Sequence, residues 1–290
     1  MNPALERYGN IPGIIVLYGL FFIAIGFFAY RTYRLYGFLH LRGKENRFDH
    51  FGKRAILFFF WVFGEWCTLR SVSRKDRAGI GHFIMFWTFV LFFIHYAYLF
   101  AWGTWHDSSL FDLSSPFSLI FSSVLDFLAL LSIVAVIWAL MRRYIGRPER
   151  LEINLEPAMI LVLIFLLMAT HIVGEALNVN LLRETSGSII RFVFAHAFDG
   201  PSQSTLRTSY IIVWWVHLII LLGFMVYIPY SKHLHILAAL FNVFFRSLRP
   251  KGALTPIDIE TADRLGIEKI EEFNWKQLLD LYACAECGRC

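Results

Sequence analysis

The chain has 290 residues, 57% of them hydrophobic and only 17% charged, with a mean hydropathy of +0.56. A soluble domain is nearer a quarter charged, so this composition excludes an ordinary water-soluble enzyme and predicts an integral membrane protein. The formal charge of +5 is explained by topology, set out next, and calls for no nucleic-acid partner.

Five apolar stretches could each cross a bilayer at ~20 residues. They lie at roughly 12–30, 80–102, 118–141, 156–178 and 208–230. The first follows a short polar start with no basic n-region and no small-residue cleavage site, so it is expected to be retained rather than removed as a signal peptide. Next comes the basic segment "RTYRLYGFLHLRGKENRFDHFGKR", then "AILFFFWVFGEW" at 55–66. That piece is too short to span and reads as an interfacial helix or one tucked against the bundle. "GTWHDSSLFDLSSPFS" is a polar outer loop and "RRYIGRPER" a short basic inner turn. In the second outer loop, 179–207, "SIIRFVFAHAF" reads as an amphipathic interface helix that Asp199-Gly200-Pro201 brings to an end. From Arg249 the composition becomes charged and soluble-looking. The expected organisation is therefore a transmembrane domain at 1–248 and a linker with the start of a further, soluble-looking domain at 249–290.

Charge sets the orientation. Of 27 Lys and Arg, eleven lie in 31–79, four in 142–150 and eight in 231–290; the other side holds Arg7, none across 103–117 and three across 179–207. By the positive-inside rule the N-terminus is outside and the C-terminus cytoplasmic, in a multi-pass protein of the inner (cytoplasmic) membrane.

The histidines carry the functional signal, because an ionisable ring in hydrocarbon is costly unless paired or ligated. His217 and His235 are 18 residues apart, five whole helical turns, which puts both on one face of a continuous helix separated by ~27 Å. Pro229 can kink that helix between them. His233 lies about 160° round from His217 and points elsewhere. Two ligands on one face, one mid-bilayer and one at the inner rim, suit two stacked haem b groups with bis-imidazole ligation. His82, at the inner end of the second span, is level with His235 and pairs with it. His95, His171 and His217 lie at similar depth, ~20–22 Å above the inner edge, so depth leaves both His95 and His171 open as the partner of His217. Facing favours His171, since His95 is about 140° round from His82. Glu175, one turn above His171, is a candidate supporting or proton-handling group. His196, near Arg191 and Asp199, could serve quinol proton chemistry.

Three of the four cysteines, Cys284, Cys287 and Cys290, form C-x2-C-x2-C. Thiolates at this spacing hold one corner of a [4Fe–4S] cluster, whose motif usually continues to a fourth cysteine. The ligand set is thus incomplete, and the chain is expected to be the first part of a longer polypeptide. Zinc is the alternative occupant.

These motifs resemble known modules. "WWVH" followed by "PYSKHLHIL" is similar to the last helix of the membrane gamma subunit of respiratory nitrate reductase, a five-helix dihaem cytochrome b. The resemblance implies ligand roles for His217 and His235. "GIGHFIMFW" resembles that family's second helix and implies the same for His82. Ten residues further on, where the family carries its other second-helix ligand, this sequence has Phe92. "NWKQLLDLYACAECGRC" is similar to the entry of heterodisulfide-reductase-like iron–sulfur domains. Fusions of the two resemble membrane electron-transferring-flavoprotein:quinone oxidoreductases.

The expected fold is therefore an all-α, five-helix membrane cytochrome b bundle leading into an iron–sulfur domain. The expected function is electron transfer between that domain and a quinone, menaquinone or another, through two haems. An electron-transferring flavoprotein or a heterodisulfide-reductase-like protein would be the cytoplasmic partner. A histidine-based proton or cation transporter and a haem-free membrane anchor are the alternatives.

Overall fold

A computed structural model describes residues 2–40, 45–73, 76–100, 116–149, 151, 153–183, 188–250, 252–253, 260 and 266–287. Most of the first outer loop and Cys290 lie outside the described residues. The N-terminus forms a hairpin, Arg7–Tyr8 (β1) antiparallel to Ile11–Pro12 (β2). Its two-residue turn uses Gly9 at φ +64°, a conformation that a residue without Cβ adopts at little cost.

Helices account for nearly all the other regular structure: α1 (Gly13–His40), α2 (Phe51–Val62), α3 (Trp66–Arg70), α4 (Ala78–Tyr98), α5 (Pro116–Leu140), α6 (Glu156–Leu182), α7 (Ile189–Ala195), α8 (Gln203–Tyr227), α9 (His235–Phe244) and α10 (Trp275–Tyr282). Among the described residues, five are long and apolar enough to cross a membrane: α1, α4, α5 with its continuation to Ile145, α6, and α8 with its continuation to Tyr230. They coincide with the five expected spans. α1 runs past the expected end near residue 30 to His40, because that basic segment contains no proline to stop it. The apolar piece at 55–66 divides instead into α2 and α3. The break is at Gly64, where a Cβ would sit 2.3 Å from the carbonyl oxygen of Phe60, and at Glu65, which takes φ +47°.

The chain divides into two compact units, Met1–Ala24 with Thr68–Met225, and Ile25–Cys67 with Val226–Cys290. In the first, α5 packs between α4 and α6, and α7 lies on α5 and α6. The buried stripe of α5 (Leu125, Ala129, Ser132, Val136) repeats every three or four residues, which puts it on one helix face. Its small members admit close approach, and Ser132 Oγ donates to Thr88 Oγ1 at 2.7 Å while Thr88 donates to Ile84 O at 2.8 Å. The hairpin is fastened to the start of α8 by Arg207–Glu6 at 3.2 Å, and Trp215 Nε1 donates to Tyr8 Oη at 2.8 Å.

In the second unit α9 packs against both α2 and α10. Arg54, 2% exposed, donates to Phe244 O at 3.2 Å and Arg246 O at 2.7 Å, so it satisfies carbonyls at the end of α9. The rest of its guanidinium holds Asp49 O at 2.7 Å and Asp49 Oδ1 at 2.6 Å. The hydrogen bond from Arg54 holds the Asp49 carboxyl below the usual carboxylate range. Trp275 stacks edge-on to Phe245 and donates Nε1 to Glu45 O at 2.9 Å; Lys276 Nζ donates to Asn242 Oδ1 and Asp280 Oδ1, both at 2.6 Å. These contacts anchor α10, the helix that delivers the cysteines.

Candidate functional site

The helix carrying His217 does not continue to His235. α8 ends at Tyr227, short 3-10 turns follow at Ile228–Tyr230 and Lys232–Leu234, and α9 begins at His235. Pro229 has no N–H to extend the helix. Ser231 then takes an extended backbone (φ −124°, ψ 173°) and caps the second turn by accepting from His233 N at 3.2 Å. The 18-residue spacing therefore no longer sets the two imidazoles on one face by itself.

His217 lies in the interior of the first unit with both ring nitrogens engaged. Tyr96 Oη donates to Nε2 at 2.6 Å, and Nδ1 is 2.7 Å from Thr170 Oγ1. The Thr170 hydroxyl proton goes to Leu166 O at 2.6 Å, so Thr170 accepts from the ring and Nδ1 carries the proton. Nε2 is left with the lone pair, the tautomer a metal ligand through Nε2 requires. His235 reaches the same state differently. Its Nδ1 donates to the backbone carbonyl of Lys232 at 2.8 Å, and a carbonyl can only accept.

His95 and His171, the competing partners, are both brought to the level of His217 through two aromatic rings. Tyr96 is 5.4 Å from the His95 ring and 5.6 Å from the His217 ring; Phe92 is 4.9 Å from His171 and 5.9 Å from Tyr96. Phe92, at the position where the nitrate-reductase pattern has a ligand, is thus a packing residue against His171. The two candidates differ in what their rings meet. His171 Nε2 donates to Asp126 Oδ1 at 3.2 Å, as His217 Nε2 is met by Tyr96 Oη. His82 belongs to the first unit and His235 to the second, and their pairing is carried by the sequence alone.

Asp126 is the centre of a charged cluster inside the apolar span α5. It is 2% exposed. Besides His171, it receives Arg191 Nε at 3.0 Å and the Ser188 hydroxyl. Arg191 in turn reaches Glu175 Oε2 at 2.8 Å, so the sequence-derived Glu175 is joined to His171 through Arg191 and Asp126. α7 makes this possible: Ser188 caps its N-terminus, Arg191 points inward at 4% exposure, and Ile189 and Val193 are 81% and 61% exposed. The face of this helix turned to the bundle therefore carries Arg191 together with Ala195 and Phe192, while Ile189 and Val193 point outward. His196 lies just past α7, largely exposed, with Nδ1 2.9 Å from Asp199 Oδ2. It lines an open hollow of about 310 Å³ with Asn180, Arg183 and Phe192.

Sequence reasoning missed Asp126, Tyr96 and Thr170. Asp126 had a signal: it is an isolated carboxylate in "SSVLDFLAL", and an acid within a span is functional or paired by default. Tyr96 and Thr170 had none, since their role appears only when α4, α6 and α8 come together.

The first two cysteines follow α10, which ends at Tyr282. Cys284 and Cys287 are exposed. Between them Glu286 adopts φ +49° and its amide donates to Cys284 Sγ at 3.4 Å. An N–H aimed at sulfur stabilises thiolate character, as in iron–sulfur loops. Among the described residues, no group of three or more His, Cys, Asp or Glu is gathered tightly enough to hold a metal ion.

Fold and site define a mostly helical chain with, among the described residues, five helices long and apolar enough to cross a membrane, partly buried histidines on three of those helices, and a cysteine pair just after a short amphipathic helix. Two relatives match nearly all of it. The chain is 32% identical to the probable iron-sulfur-binding oxidoreductase FadF of Bacillus subtilis (strain 168), covering 97% of this chain and 40% of the relative. It is 29% identical to EtfAB:quinone oxidoreductase of Syntrophomonas wolfei, again covering 97% of this chain and 40% of the relative. The chain thus spans less than half the length of the relatives it matches. No family model matches the chain, and no solved structure does.

Proposed function

We propose that this chain is the membrane arm of a quinone oxidoreductase, passing electrons between a cytoplasmic iron–sulfur domain and the quinone pool through two haem b groups. Similarity to two proteins named as oxidoreductases, one iron–sulfur-binding and one acting on quinone, supports electron-transfer chemistry. The observation that carries the haem assignment is the fixed tautomer of His217, with Nδ1–H on Thr170 and the lone pair on Nε2. His235 repeats that state, so the donor chemistry fits axial ligation at both positions. Haem b, when bound, supplies a one-electron carrier held by imidazoles.

His217 holds the outer haem. Its partner is His95 or His171; facing favours His171, whose Nε2 lies against Asp126 as that of His217 lies against Tyr96. His82 and His235 hold the inner haem. Cys284, Cys287 and Cys290 contribute three ligands to a [4Fe–4S] cluster. His196, with Asp199, offers a hydrogen-bonded imidazole at the mouth of a hollow that also presents Phe192, a setting for a quinone head group and its protons. Glu175, partly exposed and tied to Arg191, is the second proton-handling group. An electron-transferring flavoprotein is the partner suggested by the name of one relative. The orientation, N-terminus outside, follows from the distribution of Lys and Arg.

A second reading has one observation in its favour. The connected series His171–Asp126–Arg191–Glu175, buried at Asp126 and Arg191, is a chain of ionisable groups that a proton transporter could use without any haem. Anaerobic addition of a menaquinol analogue to the purified protein separates the two. The quinone reading expects a reduced haem b spectrum, diminished in His217→Ala by loss of the outer haem; a colourless protein leaves the transporter or anchor.

A further inference from the structure

Lys232 connects two places that the proposed function keeps separate, the cysteine loop and the turn that orients His235. Its ammonium pairs with the Glu286 carboxylate. Its carbonyl accepts Nδ1–H of His235 at 2.8 Å. Glu286 in turn gives its amide to Cys284 Sγ at 3.4 Å. A continuous set of three polar contacts therefore runs from the first cysteine sulfur, through Glu286 and Lys232, to the imidazole of His235, all within the second unit.

Local backbone explains why these two residues meet. Ser231 is extended and caps the turn Lys232–Leu234, which interrupts the helical run at this residue. Glu286 adopts φ +49°, a left-handed conformation that costs a non-glycine residue free energy, and that bends the loop so that one residue offers its amide to sulfur and its carboxylate to Lys232. α10 is held from behind by Trp275 and Lys276, so the loop leaves a fixed base. The Lys232 side chain is 19% exposed and that of Glu286 57%. A pair so open to water adds little to global stability, and its consequence is the location of a short loop.

We infer that Lys232 and Glu286 are positioning residues: their ion pair straps the first C-x2-C turn of the cluster-binding loop onto the turn that bears His235. This deepens the reading above, because it gives the cluster loop a built-in seat beside the proposed inner-haem ligand. It needs neither cofactor to be bound, since every contact is made by the chain itself.

Hydrogen–deuterium exchange across residues 281–287 of the metal-free full-length protein in detergent tests it. Lys232→Glu and Glu286→Lys should each speed exchange of the loop by about two- to fivefold, the weight of a partly exposed pair. The double reversal, Lys232→Glu with Glu286→Lys, should restore the protection, as should Lys232→Arg, while peptides from α2 and α9 stay as in the wild type. Rescue by the reversed pair is a result that a merely destabilised fold would not give. Unchanged exchange in both single variants, or failure of the double reversal to rescue, overturns the strap. A haem-free preparation from cells would overturn the electron-transfer reading, and the exchange experiment would still decide the strap.

Discussion

His217 and His235 both donate Nδ1–H to an acceptor, by different means. At His217 the acceptor for Nδ1–H is a side chain, Thr170, and a second side chain, Tyr96, faces Nε2. At His235 the acceptor is the backbone carbonyl of Lys232, presented by a turn that exists because Pro229 and Ser231 interrupt the helix. The first arrangement depends on three helices packing together; the second is written into seven consecutive residues. The interior histidine should therefore be sensitive to distant packing and to single polar substitutions, and the turn histidine largely immune to both.

The largest effects come from the rings themselves. His217→Ala should abolish one haem and leave the other. His235→Ala and His82→Ala should each abolish the other one, and loss of different haems in these two variants, seen in reduced-minus-oxidised spectra, would break the inner pair. Next comes the charged cluster that holds His171, in the same unit as His217. Asp126→Ala takes from Arg191 one of its two carboxylate partners and leaves only Glu175, which should cost about 1–3 kcal/mol, measured as thermal stability in detergent; Asp126→Ala with Arg191→Met should recover part of that loss. Thr170→Val removes the acceptor for Nδ1–H while keeping the shape. It should weaken haem retention at His217 about 10- to 100-fold and leave retention at His235 as it was, which reconstitution titration would show. The smallest effect belongs to the second unit. Because Arg54 holds the Asp49 carboxyl low, the contribution of Asp49 is fully present above its unfolded value of ~4 and disappears as pH falls through the lower folded value. Melting of wild type and Asp49→Asn should thus differ slightly at neutral pH and converge in acid.

The spans were legible in the sequence because hydrocarbon thickness imposes ~20-residue apolar blocks, and five helices stand where those blocks lie. Shorter elements were less so. The hairpin at Arg7–Pro12 is too brief to show alternation, and the division of 55–66 depends on a carbonyl that a side chain at position 64 would strike. The buried histidines could be singled out from depth alone. What their nitrogens touch could not, since Asp126 meets His171, Ser188 and Arg191 across three separate helices and the turn leading into one of them. The reading of one uninterrupted ladder from 217 to 235 took account of Pro229 as a kink; the extended residue at Ser231 adds a full break and a new cap.

The central claim is that the two histidines of this last stretch each hold a haem. Haem quantified per chain by pyridine haemochrome, in wild type, His217→Ala and His235→Ala, tests it most directly. The account predicts two haems b in the wild type and one in each variant, with the survivors spectrally distinct. A wild-type protein without haem, or equal content in all three proteins, would contradict it.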